Sequence, residues 1–430
     1  MMKRRVAIIA GASFPPIASA SVHRVLAWLR YLPGCGWGPE VFTLPLDYRP
    51  EKELDRSLLA AVPNNSRVRR VAPIWPRRIP RSRTVNAEIR ASEVTGQPFG
   101  WRAASFVKDA LLIPDTRILW VPPAVASLAA IHRKRRFAAV LSTSQQNSSH
   151  VAGLLASSFL RLPWVADFQD PWRSPWLSPK PSLLERVDGA IARAVLRRSD
   201  AITVISTNVG RSLEEDYGAH ASKIELIPNG FEPSTGDPKK RRETRDRFTI
   251  VHTGRFYRRR TPGLFLRAVD NLLALHPEIE GRLVVRFIGS FDEASAAAVA
   301  PYASRAWLEI VKPVPHADSL RAQADADLLL LIPGEESMSM PGKIFEYLST
   351  GRPLLCLASD NSDAAVLLRD LNAGSIVSPD DSAALERHLL AALGRDRPEQ
   401  DTVPLAGLNH RYRWSNIVAR MGEILERVAM

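Results

Sequence analysis

The sequence predicts an α/β protein built from two doubly wound, Rossmann-like domains. Three observations carry that expectation. Short Val/Ile-rich runs alternate with helical patterns through both halves of the chain, the signature of parallel sheets covered by helices on two faces. At 430 residues the chain exceeds the size at which a single core stops growing. A polar and charged stretch, Glu232 to Arg247, interrupts the alternation near the middle and reads as a linker.

The expected strands of the first half are Val6 to Ala10, Glu40 to Thr43, Ala138 to Ser142, Trp164 to Phe168 and Ala201 to Ser206. Those of the second are Thr249 to Thr253, Leu283 to Ile288, Leu308 to Val311, Ala326 to Ile332, Pro353 to Leu357 and Ser375 to Val377. From Trp414 to Val428, the residues Ile417, Met421, Ile424 and Val428 fall on one face of an amphipathic helix that suits either domain as a cap. The expected organisation is therefore a first domain over 1–235, a linker over 236–247, a second domain over 248–408 and a C-terminal helix over 409–430. Lys3-Arg4-Arg5, the apolar run that follows and Ala18-Ser19-Ala20 have the outline of a secretory signal. The same run, Val6 to Ala10 closed by Gly11, reads as the first buried strand, which cleavage would delete.

Apolar residues make up 45% and charged residues 24%, the profile of a globular enzyme, which sets disordered and fibrous classes aside. Two cysteines, Cys35 and Cys356, one in each half, have no partner at metal-ligand or redox spacing, and a reducing compartment fits. A spanning helix needs roughly 18 apolar residues in a row. The nearest stretch, Val151 to Val165, is broken by Ser157, Ser158, Arg161 and Pro163, so the expected location is cytoplasmic, in solution or at the inner face of the membrane. A net charge of +13 implies anionic partners. Basic residues gather at Arg67, Arg69, Arg70, Arg77, Arg78, Arg81 and Arg83, at Arg133 to Arg136, and at Lys239 to Arg242. The last run reads as a solvated linker. The first two, with Ile74, Trp75, Ile79, Trp101 and Phe106 nearby, read as a surface for anionic lipid, a pattern that also suits RNA.

Several chemistries are excluded by their missing motifs. Gly11-Ala-Ser-Phe-Pro15-Pro16 stands where a dinucleotide fingerprint would be, and Gly342-Lys343 is followed by Ile344 rather than Ser or Thr, so the phosphate-loop pattern fails. Neither a zinc-type helix motif nor a nucleophile elbow is present. The informative stretch is Met338-Ser-Met-Pro341-Gly342-Lys343-Ile-Phe-Glu346-Tyr347-Leu-Ser-Thr-Gly351-Arg352-Pro353. Pro341 and Gly342 suit entry into a helix whose free N–H groups attract phosphate, and Lys343 adds a full charge at the carboxyl edge of a sheet, where open α/β folds bind ligands. Glu346, one turn on, is placed to accept from a ribose diol. In isolation, Lys343 and Glu346 are equally an exposed pair on a helix.

This stretch resembles the signature of glycosyltransferase family 4, of the GT-B architecture, in particular a branch with a Pro-x-Lys-x-x-Glu-Tyr-Leu run associated with polysaccharide and glycolipid biosynthesis. The resemblance implies two domains facing across a cleft, with the C-terminal helix crossing back. It gives Glu346 the ribose, while the family's second glutamate is replaced here by Met338, for which Glu335 or Glu336 is a substitute. His252-Thr-Gly254-Arg255-Phe-Tyr-Arg258-Arg259-Arg260 resembles the family's Gly-Arg loop, making Arg255 and Arg260 the cations that stabilise the departing diphosphate without a metal. Gly254, Gly342 and Lys343 complete the donor site, and Lys312-Pro313-Val314-Pro315-His316 resembles the stretch that reads the nucleobase, chiefly at Lys312 and Val314. Ile227-Pro228-Asn229-Gly230-Phe231 resembles the hinge, and is otherwise a plain turn.

On the acceptor side, Ala166-Asp167-Phe168-Gln169-Asp170-Pro171-Trp172 and Ser142 to His150 resemble loops of the same branch. Relatives place a histidine near the position of Gln169. Asp170 is the first choice and Asp167 the second for orienting or deprotonating the acceptor hydroxyl, with a helix cap as the competing role for both. Ser19, in Ala18-Ser19-Ala20-Ser21, Gln169 and His150 complete the acceptor side, and His23 and Arg24 have no assigned role. The implied enzyme is a retaining hexosyltransferase that needs no cofactor or metal. It carries sugar from a nucleotide-sugar to a hydroxyl acceptor, expected to be a lipid-linked saccharide, at an anionic membrane surface; nucleic acid is not an expected partner. The competing functions are a nucleotide-sugar epimerase of similar architecture and a non-catalytic RNA- or lipid-binding protein on the same scaffold.

Overall fold

The computed structural model describes residues 4–17, 19–46, 48, 54–74, 112–173, 182–232, 247–257, 260–334, 340–394 and 410–430. The chain forms two compact units: Met1–Pro228 with Val418–Met430, and Asn229–Ile417. The unit boundary thus falls at Pro228/Asn229, ahead of the polar stretch, most of which lies outside the described residues.

The first unit carries strands β1 (Arg4–Gly11), β2 (Trp37–Thr43), β3 (Arg67–Arg70), β4 (Ala139–Ser144), β5 (Trp164–Phe168), β6 (Ala201–Val204) and β7 (Ile224–Leu226). Its helices are α1 (Ala20–Tyr31), α2 (Val121–Lys134), α3 (Ser148–Leu160), α4 (Ser182–Arg198) and α5 (Thr207–Tyr217). The seven strands are all parallel, in the order β3-β2-β1-β4-β5-β6-β7. Every residue from Val6 to Ala10 is buried, as a central strand covered on both faces requires. Strand β6 stops at Val204 because the Ser206 hydroxyl accepts from Val209 N at 3.3 Å and caps α5.

Strands β3 and β7 are departures from the sequence reading. Both lie at sheet edges and neither has the apolar run of a buried strand: β3 is Arg-Val-Arg-Arg and β7 has three residues. The first basic cluster is therefore partly an edge strand whose arginines serve the fold. Glu40, fully buried on β2, accepts from Arg69 Nε at 2.8 Å and from Arg5, with Arg135 at 4.0 Å. Arg70 donates to the carbonyls of Leu44 at 3.1 Å and Pro15 at 2.9 Å. Ile74 is exposed, while Trp75, Arg77, Arg78, Ile79, Arg81, Arg83, Trp101 and Phe106 lie outside the described residues.

The second unit repeats the plan with six strands: β8 (Phe248–Thr253), β9 (Leu283–Ile288), β10 (Leu308–Val311), β11 (Leu328–Leu331), β12 (Leu354–Leu357) and β13 (Ser375–Val377). Its helices are α6 (Gly263–Leu275), α7 (Glu293–Val299), α8 (His316–Ala324), α9 (Lys343–Ser349), α10 (Asp363–Asp370) and α11 (Ser382–Leu393). Strand order is β10-β9-β8-β11-β12-β13, all parallel. Two apolar clusters sandwich this sheet. Alternate residues along one strand serve opposite clusters, Leu328 and Leu330 with Phe265, Phe287 and Leu385, and Leu329 and Leu331 with Ile344, Phe345 and Leu368. In each unit the strand order reverses at one place, between β1 and β4 and between β8 and β11, where ligands bind in such sheets.

Helix α12 (Trp414–Ala429) buries Ile417, Met421 and Ile424, the face its periodicity marks, and from Val418 onward it belongs to the first unit. It is held there by Arg420, which donates to Leu226 O at 3.0 Å, and by the pairs Arg427–Glu225 and Arg4–Glu426. Among the described residues, no helix is long and apolar enough to cross a membrane.

Candidate functional site

In the second unit the site is organised around the carboxyl end of β8. The strand closes on His252-Thr253, and the chain turns at Gly254 with φ +111°, a left-handed conformation that suits glycine. A second reason for glycine is room: a Cβ there would stand 2.0 Å from Lys343 Nζ. That ammonium donates to Thr253 O, so the lysine lies directly on the backbone of the turn. From the other side comes Gly289, after β9, where a Cβ would stand 1.8 Å from Gly254 O. Gly254 N in turn donates to Ile288 O at 2.7 Å.

Lys343 keeps intermediate exposure as a residue, yet desolvation pushes its pKa down to about 8, with Arg260 adding to the effect and Glu346 opposing it. A cationic site poised in this way gains from an anion. Arg255 and Arg260 share one platform: their guanidinium groups lie 5.6 Å and 4.9 Å from the Tyr257 ring. Arg255 is exposed and Arg260 half-buried. Arg258 and Arg259 lie outside the described residues, as do Met338, Glu335 and Glu336. Helix α9 has only seven residues, with Gly342 at its N-cap and no side-chain cap, so positive charge here is carried by Lys343 and the two arginines more than by a helix end.

Glu346 is half-buried, and both its oxygens are engaged within the unit. Oε1 lies 2.9 Å from His316 Nε2, and Oε2 accepts from Gln323 Nε2 at 3.2 Å. The neighbouring Tyr347 is fully buried, and its hydroxyl accepts from Thr253 N at 2.8 Å, pinning the end of β8. Burial raises the Tyr347 pKa, so this phenol stays neutral. His252 stacks on Phe256 at 4.1 Å with Nδ1 2.9 Å from Leu330 O; burial first, then Lys343, hold its pKa well below the usual value. Lys312 is exposed after β10, and Val314 packs against the Ile344 cluster on the way into α8. Lys343, Glu346, Gly342, Gly254, Arg255 and Arg260 are thus brought to one sheet edge. Gln323, Tyr257 and Gly289 join them without a sequence signal of their own.

In the first unit, Asp167 is fully buried at the end of β5. Oδ1 accepts from Arg24 Nη2 at 2.6 Å and Thr203 Oγ1 at 2.6 Å, and Oδ2 from Arg24 Nε at 3.0 Å and Thr143 Oγ1 at 2.7 Å. Four donors fill the capacity of a carboxylate, an arrangement that suits an anchor rather than a base. Arg24, also fully buried, donates onward to Ile227 O and Pro228 O, each at 2.9 Å, where the chain reaches the unit boundary. Asp170, two residues past β5, is exposed, and no helix starts beside it among the described residues. Gln169 is buried and donates to Thr143 Oγ1 at 2.8 Å.

His150 is fully buried on α3, stacked on Phe168 at 4.2 Å, with Nδ1 2.8 Å from Ser142 Oγ. Burial pushes its pKa down to about 3, Asp167 opposing, so it is a neutral member of the core at neutral pH. Ser19 occupies the N-cap position of α1 in extended conformation without a side-chain capping bond, its hydroxyl 2.9 Å from that of Ser21.

The sequence model of Glycosyltransferase Family 4 matches residues 105–235. No curated protein matches the chain by sequence. Solved structures match along almost its whole length. Sucrose-phosphate synthase from Thermosynechococcus elongatus is 16% identical, with 99% of each chain covered and a TM-score of 0.66. HepE from Anabaena, in complex with UDP-glucose, is 16% identical, with 99% of this chain and 100% of that one covered and a TM-score of 0.63. The lipopolysaccharide outer core galactosyltransferase WaaB is 12% identical, with 98% and 99% covered and a TM-score of 0.59. At such identities the likeness establishes the fold: two parallel-sheet, Rossmann-like units of the GT-B type.

Proposed function

We propose that the chain is a retaining, metal-independent glycosyltransferase that takes a sugar from a nucleoside-diphosphate donor and places it on a hydroxyl acceptor. The observation that carries this reading is the cationic edge of the second unit, where Lys343 lies on the Gly254 turn beside Arg260, with Glu346 three residues further along α9. Lys343, Arg255 and Arg260 stabilise charge on the departing diphosphate, and Glu346 takes the ribose. The acceptor oxygen bonds to the anomeric carbon on the face from which the diphosphate leaves, as the bond from that carbon to the diphosphate oxygen breaks and the hydroxyl proton passes to the departing phosphate oxygen. Asp170, exposed two residues past β5, orients the acceptor hydroxyl; Asp167, its carboxylate filled by four donors, anchors Thr143 and, through it, Gln169. The match to Glycosyltransferase Family 4 over residues 105–235, and a neighbour crystallised with UDP-glucose, support the reaction class.

The acceptor we propose is a lipid-linked saccharide in the assembly of surface polysaccharide or glycolipid, used at an anionic membrane face. The net charge of +13 and the neighbour named for lipopolysaccharide support it. In a transfer assay with a nucleotide-sugar donor and lipid-linked acceptors, Arg255→Ala and Glu346→Ala each reduce transfer by about a hundredfold or more while the circular dichroism spectrum is unchanged. Full activity in either variant removes the donor site from this edge. Chelation of divalent metals leaves the rate as it was; loss of activity on chelation refutes metal independence.

A further inference from the structure

We infer that Gln323 is a positioning residue that sets the ribose preference of the donor site by holding the Glu346 carboxylate in one orientation. The inference rests on Glu346 as the ribose ligand. A carboxylate that reads a vicinal diol must offer its oxygens to two hydroxyls at once, so its rotation about the side chain has to be arrested before the ligand arrives. Helix α8 supplies the arrest from one face. His316 at its first residue takes Oε1, and Gln323, two turns later, takes Oε2.

Gln323 is itself immobilised. It is fully buried, and its amide nitrogen lies within bonding distance of three acceptors, Thr253 Oγ1 at 3.1 Å, Ser319 Oγ at 3.2 Å and Glu346 Oε2 at 3.2 Å. The orientation of the amide follows from this set, because the flipped form would turn its oxygen onto the carboxylate. The choice leaves Gln323 Oε1 buried with no partner in the structure. An unpaired buried carbonyl is a standing cost that an apolar residue of the same length would avoid, so packing alone does not account for glutamine here. Its return is the bond to Glu346.

The contacts also close a ring. Glu346 binds Gln323, Gln323 binds Thr253, Thr253 binds the Tyr347 hydroxyl, and Tyr347 follows Glu346 in α9. The ribose carboxylate and the strand end that carries the Gly254-Arg255 turn are therefore registered to each other through Gln323.

The test takes whichever of uridine, guanosine and adenosine diphosphate the wild type binds best and compares it with its 2′,3′-dideoxy form by calorimetry on the full chain, as wild type, Gln323→Met and Glu346→Ala. Wild type prefers the intact ribose by about tenfold or more, the worth of a hydrogen bond to a charged acceptor. In Gln323→Met that preference falls to within about threefold while affinity for the dideoxy compound stays at the wild-type level. An unchanged preference overturns the inference, and so does an equal loss for both ligands, which would mark Gln323 as structural only. Where Gln323→Met does not fold, Thr253→Val, which removes one anchor of the amide, is read by the same criteria. A preference that survives Glu346→Ala overturns the ribose role of Glu346 instead. Wild type that binds none of the uridine, guanosine and adenosine diphosphates overturns the proposed function, and the inference with it.

Discussion

Lys343 is the residue whose chemistry reports most simply on the proposed donor site. Its amine sits at about 8 rather than 10.5, chiefly from burial. The folded protein thus disfavours the charged form. That penalty is complete below pH 8 and is relieved as pH climbs from 8 toward the unfolded value. A diphosphate reverses the balance by favouring the ammonium, so binding takes up a proton near pH 8 and weakens as pH rises beyond it. Calorimetry in buffers of different ionisation enthalpy should register this uptake, and Lys343→Met should abolish it; uptake that persists in the variant places the titrating group elsewhere. Lys343 and Glu346 were legible in the sequence because both lie in one short run with a familiar spacing. Gln323 and Tyr257 were not, since each acquires its role only where α8 and the loop after β8 approach the site. Asp167 was legible as a strand-end acid, but its meaning depends on Arg24, far away in the chain and given no role from sequence.

At the scale of elements, the Arg24–Asp167 pair joins α1 to β5 and to the last carbonyls of the first unit. Both side chains are fully buried, so removing Arg24 leaves the Asp167 carboxylate buried without its ion partner. Arg24→Met should lower unfolding stability by about 3–5 kcal/mol, readable in urea melts. Combining it with Asp167→Leu should restore a large part of the loss, and a strictly additive double variant would contradict the pairing as the source. The β8 and β9 turns make a second pair of elements. Gly289→Ala drives a methyl into the Gly254 carbonyl and should cost nucleotide-diphosphate affinity by about tenfold or more, even where the protein remains folded. Wild-type affinity in that variant would show that the two turns need not touch. Strands β3 and β7 escaped sequence reading for a physical reason: edge strands bury too little to require an apolar run. The arginines of β3 instead looked like a surface cluster, and the buried Glu40 they serve gave no local hint.

For the whole molecule, the alternation of buried strands and helices carried the two-unit fold, because a strand covered on both faces must be apolar throughout, as Val6 to Ala10 and Leu328 to Leu331 are. The charge of +13 belongs to this scale too. With Arg69, Arg70 and Arg135 engaged in the fold, the remaining basic residues should still bind vesicles containing anionic lipid, and a neutral composition should weaken sedimentation with them. Equal binding to both would remove the membrane from the account. The proposed grip of the second unit on a nucleotide-sugar, through Lys343, Arg255, Arg260 and Glu346, is open to a direct titration of nucleotide-sugars into wild type and Glu346→Ala without added metal. Wild type should bind at least one donor saturably, and the variant should lose at least tenfold in affinity. No binding by wild type, or equal binding by both, would contradict it.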